Sequence, residues 1–270
     1  MNPAGNARPA DALQANQLEK QPAPPCSIGV VIPVLDEADA IGLVVTGIPR
    51  DLIAEVVVVD GGSRDGTIEV ARAAGARVIV ARRSGYGWAC ATGAAATTSD
   101  VVVFLDGDGS DDSTEIPRVV APLLRGEADL VLGARSRVKD GAIPFYARAG
   151  NTLAAAIISL AWHQRVTDLP SFKAIGRRDL ESFGMSEATY GWTIELIVKA
   201  ARRKRRIREV PQVYSPRVGG VSKVSGNLRA SLKAAFAILR VLVRHGLGAD
   251  GGAGRVDLLR ATRNQPTKGD

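Results

Sequence analysis

Asp106 and Asp108 close an apolar run, VVVFLDGDGSDD, with a single glycine between them. A glycine there lets the backbone turn so that both carboxylates can approach one cation or its water shell. Hard oxygen ligands select Mg²⁺ or Mn²⁺, ions that keep several waters and bridge to substrate phosphates. Two more acidic turns follow apolar runs: Pro33-Val-Leu35-Asp36-Glu37, and Asp60-Gly-Gly-Ser-Arg-Asp65-Gly-Thr. Helix capping accounts for a single turn of this kind, and for Ser113 and Asp65 here. It does not account for three such turns in a chain whose net charge is +7. Rival chemistries fail on spacing. A calcium loop starting at Asp106 needs glycine sixth and glutamate twelfth, where Asp111 and Pro117 stand. The pair Gly85-Tyr-Gly87 lacks the third glycine of a dinucleotide turn, and no Walker lysine motif occurs. There is no nucleophile elbow, and the two histidines, His163 and His245, fall at a helix end and near the tail.

The elements that must hold these turns are legible as an alternation. Ile28 to Val34, Val56 to Val59, Val78 to Val80, Val101 to Leu105 and Leu130 to Leu132 read as short buried strands. Between them Ala38 to Ile48, Thr67 to Ala74, Trp88 to Thr98 and Thr114 to Arg125 read as helices, the last begun by Ser113. Such alternation predicts an α/β fold on a mostly parallel sheet, where ligands bind beyond the carboxyl ends of the strands. After Ala134 the order changes. Helices are expected at Pro144 to Trp162, Arg177 to Phe183, Trp192 to Arg202 and, amphipathic, Leu228 to Arg244, with strands at Phe172 to Ile175 and Ile207 to Tyr214.

Of the 270 residues, 46% are hydrophobic and 23% charged, as in an ordinary globular protein. Five of the 14 prolines precede Cys26, so residues 1–27 read as a disordered tail. Residues 28–246 read as one catalytic domain, and 247–270, rich in glycine and charge, as a flexible tail. Two cysteines make no disulfide framework and point to a reducing, cytoplasmic setting. No apolar run reaches the roughly 20 residues of a membrane span. The positive charge asks for an anionic partner. With aromatics at 4%, stacking platforms for nucleic acid are missing, so nucleic acid is not expected. The apolar helix Leu153 to Trp162 could be core, lipid-facing or a homodimer interface.

The motifs VVIPVLDEADAI, VVVVDGGSRDGT, GYGWACATG, VVFLDGDGSDD and LVLGARSR, in this order, resemble the family-2 inverting glycosyltransferases of the GT-A fold. TDLPSFKAI, TYGWTIELIVKA and YSPRVGGVSK are similar to the dolichyl-phosphate mannose synthase-like branch, the polyprenyl-phosphate glycosyltransferases. The resemblance implies a single domain with a Rossmann-like sheet and Mg²⁺ or Mn²⁺ at Asp106 and Asp108. It also implies a nucleotide-sugar donor bordered by Pro33, Leu35, Glu37, Asp60, Asp65, Gly85 and Asp106. Arg135, Arg148, Arg217, Ser222 and Lys223 match positions near an acceptor phosphate. Where that branch carries a Gln-His pair after the metal motif, this chain has Ser110 and Asp111.

The expected reaction is sugar transfer from a UDP- or GDP-sugar to a polyprenyl phosphate. Such an acceptor is already anionic and needs positioning by arginine and lysine more than it needs a base. With a soluble hydroxyl acceptor, a carboxylate must take the proton, and Asp168 and Glu195 are the candidates. A non-catalytic nucleotide-sugar-binding protein is the third reading. Six basic residues among the seven from Arg202 to Arg208, with the Leu228 to Arg244 helix, are expected to hold the protein peripherally on an anionic membrane at its inner face.

Overall fold

In a computed structural model of the chain, the described residues are 26–219, Arg240, Arg244 and 256–263. The expected N-terminal tail, save Cys26 and Ser27, and most of the Leu228 to Arg244 helix lie outside them, as do Ser222 and Lys223. The strands are β1 (Ile28–Val34), β2 (Glu55–Asp60), β3 (Arg77–Val80), β4 (Val101–Phe104), β5 (Leu130–Val138), β6 (Lys173–Gly176) and β7 (Ile207–Tyr214). The helices are α1 (Ala38–Thr46), α2 (Thr67–Ala73), α3 (Tyr86–Ala96), α4 (Ile116–Leu124), α5 (Phe145–Trp162), α6 (Arg177–Ser182), α7 (Gly191–Arg202) and α8 (Leu258–Arg263). All seven strands form one sheet in the order β3-β2-β1-β4-β6-β5-β7, parallel except for β6.

Strands rich in valine and buried on both faces belong in a sheet covered by helices on each side. Alternate residues serve different layers. Val31, Val57, Val59, Val102 and Phe104 join a core that includes residues of α3, α5 and α7. Val30, Ile32, Val56, Val58 and Val103 join a second core with α1 and α4. Helix α3 is built of small residues because it lies close on the sheet. A Cβ at Gly93 would fall 2.3 Å from Val31 Cγ1, too close for any side chain.

Strand order reverses direction between β1 and β4, the kind of switch point beyond whose strand ends ligands bind in open α/β sheets. The β1–β4 ladder ends at Val31 and Phe104, with Leu105 N–H donating to Val31 O. Pro33 lies two residues further on the same side, so its missing N–H removes no ladder bond. Gly107 is closely packed just beyond the end of β4, where a Cβ would meet Val34 Cγ1 at 2.4 Å. The glycine between the two aspartates therefore provides close packing as well as a turn.

Three sequence readings are corrected. Helix α4 is preceded by a 3₁₀ turn, Ser113–Glu115, and it is this turn that Asp112 caps, its carboxylate accepting from Thr114 N–H at 3.0 Å; Ser113 is buried instead. Strand β5 runs to Val138, six residues beyond the expected end, because β7 pairs with it as far as Tyr214. The segment read as a flexible C-terminal tail contains α8, whose Leu258 and Leu259 are 2% and 3% exposed in the core beside α3. Leu258 N–H donates to Met185 O at 2.8 Å, which ties this helix to the loop after α6. Two adjacent leucines among glycines and arginines have no period to read, so composition hid the contact. Leu259→Ala is expected to destabilise the protein by about 2–3 kcal/mol, read as a lower midpoint in urea unfolding with an unchanged slope.

Candidate active site

The three acidic turns converge at the carboxyl ends of β1, β2 and β4, and hydrogen bonds weld the first two together. Asp60 is fully buried, and its carboxylate accepts from Gly62 N–H at 2.8 Å and from Ser63 N–H. Ser63 Oγ in turn accepts from Asp36 N–H, and Asp36 Oδ1 accepts from Arg64 N–H. Asp36 adopts a left-handed backbone, φ 49°, to make this exchange. Asp65 accepts from Ala38 N–H and from both the N–H and the hydroxyl of Thr67. Burial works upward on its pKa, but these donors outweigh it and leave the carboxyl below its usual range. Leu35 remains exposed on the rim.

The turn after β4 brings three carboxylates, Asp106, Asp108 and Asp111, within reach of one another's charge. Burial, and then Asp108, push the Asp106 carboxyl up to about 6. Asp111 goes up to about 7, chiefly through burial and then the Asp106 charge. Its Oδ2 accepts from Ser171 Oγ at 3.0 Å, while its Oδ1 is buried with no hydrogen-bond partner. Asp108 Oδ1 accepts from the N–H and hydroxyl of Ser110. A second carboxylate beside Asp106 that raises the cost of its ionisation is what a divalent cation would relieve, so Asp106 and Asp108 fit Mg²⁺ or Mn²⁺ completed by water and phosphate oxygens. Among the described residues no set of three or more His, Cys, Asp or Glu side chains is arranged to hold a metal without such help.

Arg217 joins two of these turns from the far end of the chain. Its Nη2 donates to Glu37 Oε1 at 2.5 Å and lies 3.7 Å from Asp108 Oδ2. Val218 N–H donates to Asp108 O, and Ser215 N–H to Ser110 O, so the segment after β7 lies along the metal turn. Arg217, expected near the acceptor phosphate, thus stands between Glu37 and Asp108, two residues expected on the donor side.

Arg135 and Asp168 form a two-pronged ion pair, Nε to Oδ2 at 2.7 Å and Nη2 to Oδ1 at 2.6 Å. Arg135 N–H and Leu169 N–H donate to the same carboxylate. Burial opposes the Asp168 charge, yet Arg135 and these amides prevail and hold its carboxyl below the ordinary range. The Arg135 guanidinium also stands 5.3 Å from the Tyr214 ring centre. Asp168, expected as a base, is engaged in this ion pair with Arg135. Glu195, the other expected base, is fully buried on α7. It pairs with Lys199 at 2.8 Å and accepts from Ser186 N–H, Ser186 Oγ and Glu187 N–H. Its carboxylate holds the loop that crosses the start of α3. There Ala188 O accepts from Trp88 N–H, and only glycine fits at 85 and 87, since a Cβ would meet Ala188 O at 2.4 Å or Glu187 O at 2.1 Å. Gly85, expected to border the nucleotide, serves this close approach. Glu195→Gln is expected to cost about 3 kcal/mol of stability with turnover retained below the melting transition. Complete loss of turnover in a folded variant would return the base role to Glu195.

Sequence reasoning passed over Asp111 and Lys173. Lys173 Nζ is buried on β6 and donates to Pro170 O, Ser171 O and Thr193 Oγ1, 5.9 Å from the ring centres of both Phe104 and Trp192. Burial lowers its pKa to about 8, although Cys90, Asp106 and Asp111 favour its charge. The signal was a lysine inside an otherwise apolar strand. Arg148 lies exposed on α5, an element that bears none of the carboxylates. The basic run is also partly consumed inside the fold: Arg203 lies on the Phe183 ring, Arg205 pairs with Asp179, and Arg206 pairs with Asp129. Lys204, Arg206 and Arg208 remain exposed.

The family model described as glycosyl transferase family 2 matches residues 29–183. An uncharacterized glycosyltransferase of Mycobacterium tuberculosis is 37% identical over 216 residues, covering 80% of this chain and 98% of that protein. A dolichyl-phosphate hexose transferase of Haloferax volcanii is 36% identical over 71% of this chain and 84% of its own length. Among solved structures, glucosyl-3-phosphoglycerate synthase from Mycobacterium tuberculosis in complex with Mn²⁺, UDP-glucose and phosphoglyceric acid has a TM-score of 0.67 at 26% identity. The match covers 84% of this chain and 81% of that one. The same enzyme with Mg²⁺ and UDP has a TM-score of 0.65 at 28% identity, over 84% and 81% of the two chains.

Proposed function

This chain belongs to glycosyl transferase family 2, and from that premise we propose that it transfers a sugar, with inversion, from a UDP-sugar to an acceptor that carries phosphate. The observation that carries the reading is the carboxylate turn Asp106-Gly-Asp108 beyond β4, whose two half-buried like charges call for a divalent cation. A cation held by Asp106 and Asp108 supplies charge neutralisation for the departing diphosphate. The chain's own groups do the rest. Asp60, Asp65 and Asp36 fix the two turns that would border the nucleoside, and Arg217 sets Glu37 beside Asp108. Arg135, which Asp168 holds in one orientation, is the group proposed to meet acceptor phosphate.

A soluble hydroxyl compound bearing phosphate is the first acceptor to test. It is supported by the solved neighbours, one of which contains both UDP-glucose and phosphoglyceric acid. A polyprenyl phosphate is the second reading, and a specific observation favours it. Both carboxylates expected as bases are committed to ion pairs, and a phosphate oxygen needs no base to attack. The dolichyl-phosphate hexose transferase relative supports the same reading.

Transfer from UDP-sugars with Mn²⁺, offered 3-phosphoglycerate in one arm and a short-chain polyprenyl phosphate in the other, separates the two by product. UDP binding without product in either arm would leave a nucleotide-sugar-binding protein and overturn the transferase reading.

A further inference from the structure

Of the aromatic side chains whose burial is described, Tyr190 alone is exposed, at 50%. Its ring stacks on that of Tyr86, with centres 6.1 Å apart and planes 24° from parallel, and Tyr86 packs against the core beneath. The backbone around both is fixed. Trp88 N–H donates to Ala188 O, and the carbonyls of Glu187 and Ala188 lie against Gly87 and Gly85, so the residues before Tyr190 are held to the start of α3. The same residue stands beside the metal turn. Lys173 pairs on the sheet with Phe104, two residues before Asp106, and its Nζ donates at 3.1 Å to Thr193 Oγ1, one helical turn after Tyr190. Trp192 meets Phe104 edge-on at 4.7 Å. Burial, and then the Asp106 charge, hold the Tyr190 hydroxyl above its ordinary range. The exposed ring thus stands where the starts of α3 and α7 meet the end of β4.

We infer, resting on the UDP-sugar reading above, that the donor's sugar lies against the Tyr190 ring and that this sugar is a neutral pyranose. The face of an aromatic ring is apolar and electron-rich. A pyranose presents C–H bonds on a face of its ring, polarised positive by the attached oxygens, so the two surfaces attract while the sugar hydroxyls keep their polar partners. The diphosphate lies between nucleoside and sugar, which sets the sugar on the side of the metal turn away from the nucleoside. Val218, another exposed apolar side chain at this turn, packs on Gly109 toward Ala40 of α1 and so belongs to the nucleoside side. Tyr190 is on the α3 and α7 side. Charge selects the sugar class. A uronate carboxylate at this ring would face Asp106 and would need a cation. Lys173 beneath already donates to Pro170 O, Ser171 O and Thr193 Oγ1, which completes its hydrogen bonds, and Arg135 is assigned above to the acceptor.

The test is calorimetric titration of the full chain, with Mn²⁺, by UDP, UDP-glucose, UDP-galactose and UDP-glucuronate. Tyr190→Ala is expected to weaken binding of the better neutral sugar nucleotide about ten-fold relative to UDP, whose own affinity stays as in wild type. Tyr190→Phe keeps the ring and is expected to recover most of that loss, whereas Tyr190→Leu, apolar but without a ring, is not. UDP-glucuronate is expected to bind wild type about ten-fold more weakly than the better neutral donor. An unchanged ratio of UDP-sugar to UDP affinity in Tyr190→Ala, whether both fall together or neither does, assigns the ring to the packing of α3 and overturns the inference. A leucine that serves as well as phenylalanine overturns it too, and UDP-glucuronate bound as tightly as the neutral donors overturns the sugar class. Absence of UDP binding by wild type is a separate failure, of the nucleotide reading itself, and takes the inference with it.

Discussion

Asp108→Asn is expected to lower the metal-dependent rate of sugar transfer about a thousand-fold and to leave the fold intact. The substitution removes charge with little change of shape. An asparagine carbonyl oxygen can still accept from the N–H and hydroxyl of Ser110, as Asp108 Oδ1 does, so the turn retains its local bonds. Gly107 stays packed on Val34, and Asp108 O keeps its bond from Val218 N–H. What disappears is one of two carboxylates able to bind a cation, together with the charge that Arg217 approaches at 3.7 Å. Calorimetric titration with Mn²⁺ and UDP should show the loss directly, with a melting temperature close to that of wild type. Full activity in the asparagine variant would remove the metal from the mechanism proposed here.

The second large effect is on stability. Asp168→Ala deletes one partner of an ion pair whose side chains are only 11% and 15% exposed. The Arg135 guanidinium then stays partly buried without its counter-charge, which costs about 3–5 kcal/mol. In a domain of this size that corresponds to a melting temperature lower by about 10 °C. Arg135 N–H and Leu169 N–H also lose their acceptor. Asp168→Asn should be milder, because an amide oxygen still accepts from one prong and from an amide. The pH dependence separates charge from shape. The folded Asp168 carboxyl lies below its unfolded value of about 3.9, so its contribution is complete above that pH and is lost as pH falls through the folded pKa. Wild type and Asp168→Ala should therefore converge in stability on acidification, and a constant gap between them would assign the effect to packing. At neutral pH the alanine variant should also show a raised KM for a phosphate-bearing acceptor, since Arg135 is no longer held in place.

The sequence by itself determined the alternation of strands and helices, and with it the edge of the sheet where chemistry belongs. Runs such as Ile28–Val34 and Glu55–Asp60 are mostly valine and isoleucine, and strands of that kind belong between two helical layers. The Asp-Gly-Asp turn, the acids after β1 and β2 and their place at strand ends were legible for the same reason: each is local, set by a few neighbouring residues. Only the tertiary structure decided which acids are paired. Asp168 and Glu195 look alike in the sequence as carboxylates in polar-to-apolar segments, but Arg135 lies 33 residues from Asp168 along the chain, and Glu195 is locked by Lys199 and the Ser186 loop. Whether a carboxylate acts as base or anchor depends on which cation the fold brings within hydrogen-bond reach and how much water is left around it, and neither has a local signature. The same applies to Lys173, which burial among Phe104, Trp192 and the Asp106 cluster converts from an ordinary surface cation into a buried one. It applies also to α8, whose two leucines declare themselves only once α3 and the loop after α6 stand beside them.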